Sequence, residues 1–266
     1  MSTKPIVEAV DLTHFYGTHL AVDCVSFRIN KGMTFGLIGP NGAGKSTIIK
    51  MLTTLLPISS GEAFINGYSI SRNSSEVRQS IGYVPQLLSA DGELTCYENL
   101  LLSAKLYGIA RNHRQRLIDE VLGFMNLTDQ KDQLVSRFSG GMIRRLEIAQ
   151  ALVHRPTVLF LDEPSVGLDP AARKSLWMHI QSLNKRLQTT ILMTTHDMEE
   201  ADTLCDVVAL MHSGRIVVMD TPANLKAALG PKATLDDVFI FYTGSSLNEG
   251  GGYSNVQDTR RTISNL

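Results

Sequence analysis

The sequence predicts an α/β fold, a largely parallel sheet flanked by helices, with a smaller antiparallel β portion and an inserted helical lobe. Three observations carry this expectation. Runs at 33–39, 157–163 and 190–196 are almost continuously apolar, as strands buried on both faces of a parallel sheet are. Helical patterns lie between them, the alternation of an α/β core. The stretch from about Leu87 to Arg137 holds helical patterns and no strand signal, so it reads as a lobe of about 87–137 inserted into the sheet domain.

Taken in order, runs at 7–12 and 21–29 alternate apolar with polar residues and predict antiparallel strands, and a further strand is expected at 61–67. Helices are expected at 45–55, 96–107, 114–125, 141–153, 171–187 and 225–229. In the third of these, Leu117, Val121, Leu122 and Met125 fall on one face of a 3.6-residue period. The run 207–220 is broken by His212-Ser213-Gly214 and reads as a hairpin. Met193, Met198, Met211 and Met219 read as core residues. The glycine-rich polar segment 244–266 predicts a disordered tail after a folded unit of 1–243.

Composition narrows the class of function. With 266 residues, 43% of them apolar, the chain can bury the core of a single large domain or a domain with a subdomain. Its 25 basic and 26 acidic residues leave a net charge of −1, so no nucleic-acid partner is expected. Cys24, Cys96 and Cys205 form no close pair and suggest neither a disulfide framework nor a zinc site; a reducing compartment fits. No secretory leader and no bilayer-length apolar run is present, so any membrane connection is expected to go through a partner.

Gly39-Pro40-Asn41-Gly42-Ala43-Gly44-Lys45-Ser46-Thr47 matches the phosphate-binding pattern GxxxxGK[ST], placed between a predicted strand and a predicted helix. Glycines there let backbone N–H groups fold around phosphate oxygens, and the helix adds its positive N-terminus. Lys45 is the candidate to bridge the β- and γ-phosphates and Ser46 to ligate Mg²⁺. Asp162, at the end of an apolar strand, is placed to hold that ion through water. Glu163 follows, where a carboxylate can act as general base toward a water.

Between these motifs stands Phe138-Ser139-Gly140-Gly141-Met142, which resembles the signature of ATP-binding cassette (ABC) proteins, usually LSGGQ. The resemblance extends over residues 6–230 and implies the fold of a P-loop nucleoside triphosphatase and the hydrolysis of ATP with Mg²⁺. It also implies roles for further positions: Tyr16 stacking on adenine, Gln86 in the loop joining the lobes and near the metal, Asp169 in the loop linking two cassettes, and His196 as the switch histidine. Ser139-Gly140-Gly141 also reads as the N-cap of the next helix, and the readings coincide, because a capped helix start is what grips a γ-phosphate. Phe138 and Met142 depart from the common signature. Met142 lacks the amide that could reach a nucleotide.

The resemblance further implies that two cassettes sandwich two ATP molecules, so that the second half of each site comes from a copy or a paralogue. Met142, Arg144-Arg145-Leu146 and Thr234-Leu235-Asp236-Asp237-Val238-Phe239 look like the ATPase subunits of daunorubicin-resistance type exporters. That branch implies a separate polytopic permease, a location on the cytoplasmic face of the cell membrane, and drug or lipid-like cargo. Leu87 and Leu88 would then lie in the groove that receives a permease helix. An importer ATPase and a soluble ABC ATPase acting on ribosomes or DNA stand as alternatives.

Overall fold

The computed structural model describes residues 4–244; the predicted tail beyond 244 lies outside the described residues. In chain order the elements are β1 (Val7–Tyr16), β2 (His19–Ile29), β3 (Thr34–Ile38), α1 (Lys45–Leu52), β4 (Ser60–Ile65), β5 (Tyr68–Ser69), α2 (Ser74–Ser80) and β6 (Ile81–Val84). There follow α3 (Cys96–Leu106), α4 (Arg111–Phe124), α5 (Gly140–Leu152), β7 (Val158–Asp162), α6 (Pro170–Leu187), β8 (Thr190–Thr195) and α7 (Met198–Leu204). The chain closes with β9 (Val207–His212), β10 (Arg215–Asp220), α8 (Pro222–Ala227) and α9 (Leu235–Thr243).

Two sheets form. An antiparallel one runs β2-β1-β4-β5, as the alternating N-terminal pattern requires. The other runs β10-β9-β3-β8-β7-β6, parallel except for the antiparallel edge strand β10. Side chains of the central strands alternate between two cores. Phe35, Leu37, Val158, Phe160 and Leu192 pack with α1 and the antiparallel sheet, whereas Ile38, Leu159, Leu161, Ile191 and Met193 pack with α5, α6 and the helices α3 and α4. Every position of β3, β7 and β8 is buried, and their nearly continuous apolar runs are what two-sided burial demands.

Six elements depart from the sequence expectation, the two-residue strand β5 among them. The short strand β6 and the short helices α2 and α7 carry too few periodic residues to stand out; α2 buries only Val77. Helix α9 also escaped, although Thr234 and Asp237 form a capping box at its start. The helix expected at 225–229 lies instead at Pro222–Ala227, because Thr221 caps it and Pro222 takes the first helical position. Met219 is 42% exposed rather than in the core, since β10 is a sheet edge. The hairpin turn at Ser213 and Gly214 has positive φ at both residues, the backbone twist a two-residue turn needs.

Candidate functional site

The loop 39–47 leaves the carboxyl end of β3 and runs into α1. Its shape is enforced from two sides. A Cβ on Gly39 would lie 2.3 Å from the Met211 carbonyl oxygen of β9. Gly44 has φ 101° and a Cβ there would meet the Ala21 carbonyl oxygen of β2 at 2.7 Å. The turn between β9 and β10 closes this wall, with Gly214 N–H donating to Ala43 O (3.1 Å) and Asp23 N–H donating to Gly214 O (2.9 Å). An exposed Asn41 and Gly42 form the loop tip, while Ala43 is buried behind it and Thr47 follows Ser46 in the first turn of α1.

Lys45 turns back into the loop and donates to the carbonyl oxygens of Gly39 (2.7 Å) and Pro40 (3.1 Å). Burial pushes its pKa down, against the opposing pull of Glu163 and Asp162. Ser46 Oγ donates to Asp162 Oδ1 at 2.9 Å, and Thr194 Oγ1 donates to the same oxygen at 2.6 Å. Thr194 also accepts from Glu163 N–H through its Oγ1 (3.0 Å), so one hydroxyl on β8 fixes both carboxylate residues at the end of β7. Sequence reasoning missed Thr194; its place in a parallel strand adjacent to β7 was the only signal.

Glu163 is the centre of the arrangement. Its backbone stands at φ 48°, the left-handed region, which a non-glycine residue enters at a conformational cost and which turns its side chain off the strand end. The carboxylate lies 3.4 Å from Lys45 Nζ and 3.3 Å from His196 Nδ1, and accepts from Gln86 Nε2 at 3.2 Å. It is 5% exposed. His196 follows β8 directly, and with Pro40, Asn41 and Asp236 it lines a cavity of about 280 Å³ beside the loop. Gln86 follows β6 at the parallel sheet's carboxyl edge. Four strand ends of one parallel sheet thus converge on one carboxylate, the position where open α/β sheets place their chemistry.

The other expected residues stand apart from this cluster. Tyr16 ends β1 at the hairpin with His19, 47% exposed and edge-on to His14 at 4.7 Å. Ser139 caps α5, accepting from Met142 N–H at 3.3 Å, with exposed Gly140 and half-buried Gly141 at the first turn. Asp169 caps α6, accepting from the N–H groups of Ala171 (2.9 Å) and Ala172 (3.0 Å). No hydrogen bond or ion pair among the described residues joins Tyr16, Ser139, Gly140, Gly141 or Asp169 to the loop 39–47.

The fold and this phosphate-loop geometry define a nucleotide-binding subunit, and comparison with known proteins gives its family. The ABC transporter family profile matches residues 22–166. The linearmycin resistance ATP-binding protein of Bacillus subtilis is 37% identical over 244 residues, 92% of this chain and 76% of that protein. The daunorubicin/doxorubicin resistance ATP-binding protein of Streptomyces peucetius is 38% identical over 232 residues, covering 86% and 70%. A solved structure of the ATP-binding subunit of an ABC transporter superposes with a TM-score of 0.78 at 30% identity, over 90% of this chain and 99% of that one. The chain belongs to the ABC transporter family: it is an ATP-binding subunit, an ATPase whose hydrolysis is coupled to transport. Among the described residues no helix is long and apolar enough to cross a membrane.

Proposed function

We propose that this chain is the ATPase subunit of an exporter for drug-like or lipid-like molecules, and that Glu163 is its general base. The observation that carries the chemistry is the buried Glu163 carboxylate, held between Lys45, Gln86 and His196. ATP would bind with its phosphates against the loop Gly39 to Thr47, in the N–H groups of Gly39, Asn41, Gly42, Ala43, Gly44, Lys45, Ser46 and Thr47 at the start of α1, while Pro40, which has no N–H, shapes the turn. Lys45 neutralises charge on the β- and γ-phosphate oxygens, a role its flexible ammonium can take by turning from the carbonyl oxygens it now meets. Glu163 accepts the proton of a water aimed at the γ-phosphate; His196 and Gln86 hold carboxylate and water in line.

The donor set also fits Mg²⁺. Ser46 Oγ and Asp162 Oδ1 converge at 2.9 Å, hard oxygen donors of the kind this ion takes, with the Gln86 amide on the far side of Glu163. Bound there, Mg²⁺ would neutralise phosphate charge. Ser139, Gly140, Gly141 and Asp169 stand away from the loop, all but the half-buried Gly141 exposed, which supports a second cassette completing the site, with Tyr16 offering its exposed ring to adenine. Export is supported by relatives named for antibiotic resistance, and by the multidrug and Nod factor export ATP-binding proteins also found at 37–41% identity. A polytopic permease and a station at the cytoplasmic face of the membrane follow from that reading.

Glu163→Gln tests the base directly. ATP binding stays within about twofold of the wild type, and phosphate release falls by about 10²–10⁴-fold. Wild-type turnover in that variant removes Glu163 from this role.

A further inference from the structure

Outside the nucleotide cluster, the largest fully buried polar side chain is Arg144, on the second turn of α5 and 1% exposed. An arginine at this depth is costly unless its charge is paired and hydrogen-bonded. Its two terminal nitrogens are used on one target. Nη1 donates to Pro85 O and Nη2 to Gln86 O, both at 2.7 Å, so the guanidinium fork grips two successive peptide carbonyls of the segment that carries Gln86. Glu147, one turn further along the same helix and equally buried, pairs with Nη1 at 3.0 Å. That carboxylate also accepts from Ser89, through the backbone N–H and through Oγ at 3.2 Å.

The pair therefore reaches across from α5 to both ends of the segment 85–89. No regular element surrounds that segment: it follows β6 as irregular chain, and Gln86 to Ser89 are exposed. Few other contacts hold it, and backbone carbonyls are gripped rather than side chains, so the clamp fixes the path of the chain whatever residues stand there. The guanidinium Nε is buried without a hydrogen-bond partner, so the two terminal nitrogens make all of the residue's side-chain hydrogen bonds. Burial pushes the Arg144 pKa down, and the Glu147 carboxylate opposes that push.

We propose that Arg144 is a positioning residue for hydrolysis: with Glu147 it locks the Gln86 segment to α5, so that the helix begun by Ser139-Gly140-Gly141 and the amide that meets Glu163 move as one body. The helix start and the Glu163 carboxylate have no direct bond. Arg144 supplies the path between them, from the α5 backbone to Gln86 O, and from Gln86 Nε2 to Glu163 Oε2. A displacement of α5 would then carry the Gln86 amide with it, and a misplacement of about 1 Å near a reacting centre costs on the order of 10²-fold in rate. The inference rests on the assignment of Glu163 and Gln86 to the hydrolytic site.

The test is a double-mutant cycle on the full chain. Arg144→Lys keeps the charge against Glu147 but replaces the planar fork by a single ammonium, which cannot hold both carbonyls. Expected is a fall in kcat of about tenfold or more, with KM for ATP within about twofold. Gln86→Ala alone lowers kcat, and the double variant is no slower than Gln86→Ala, because Arg144 acts through Gln86. Losses that multiply overturn the coupling while leaving the site assignment in place. Wild-type turnover in Gln86→Ala overturns the assignment and the coupling with it. Should Arg144→Lys fail to fold, Arg144→Met with Glu147→Met removes both charges together, a replacement that buried pairs tolerate; it must show the same kcat loss and the same non-additivity with Gln86→Ala, and wild-type turnover in it overturns the proposal.

Discussion

At the scale of single residues, the site is shaped by atoms that leave no room. Gly39 is held against the Met211 carbonyl oxygen so closely that even a methyl group cannot enter without moving backbone. Gly39→Ala is therefore expected to destabilise the fold by about 1–3 kcal/mol, the range for overpacking a filled interior. A lowered urea midpoint with an unchanged slope would report it, and an unshifted midpoint would show that β9 can yield. That Lys45, Ser46, Asp162 and Glu163 lie together was legible in the sequence because each belongs to a motif with fixed spacing. Thr194 and Arg144 were not, because their partners are 32 and 58 residues away and reach them only through the pairing of β7 with β8 and the packing of α5 beside β6. A residue whose role lies in holding another has no spacing of its own to read.

At the scale of elements, capping fixes where the site-bearing helices begin. Ser139 ends the segment before α5 and caps the helix by accepting from Met142 N–H. Ser139→Ala should cost about 1 kcal/mol in unfolding free energy, and Ser139→Thr should keep most of it. Equal stability of the alanine variant in urea would mean the cap is idle in solution. The long strands and α3 to α6 were readable from apolar periodicity, since each presents a full face to a core. Some short elements were not: β6 has four residues and α7 seven, too short for a period to show, whereas β3, β7 and β8, five or six residues long, stood out as nearly continuous apolar runs.

At the scale of the whole molecule, the surface divides by use. Leu87 and Leu88 are 82% and 52% exposed, directly after Gln86, and Leu106 at the end of α3 is 78% exposed. Apolar side chains so open on a subunit that must meet a permease are suited to receive one of its helices. Leu87→Asp is expected to leave the basal ATPase rate unchanged and to abolish transport in vesicles containing both subunits. Full transport by that variant would move the docking surface elsewhere.

The phosphate loop has walls from two distant stretches of chain: β2, with the carbonyl of Ala21 behind Gly44, and the β9 hairpin, with the carbonyl of Met211 behind Gly39 and the turn at Gly214 bound to both Ala43 and Asp23. The ion pair of Asp23 with Arg215 joins positions 192 residues apart. During synthesis the motif itself emerges early, but its walls wait for residues 207–215. Most of the chain must therefore collapse without help from bound nucleotide, and the closing contacts carry the high loop-closure cost of long sequence separation. Nucleotide can stabilise this protein only as a late event, after the last parallel strand has docked beside the first.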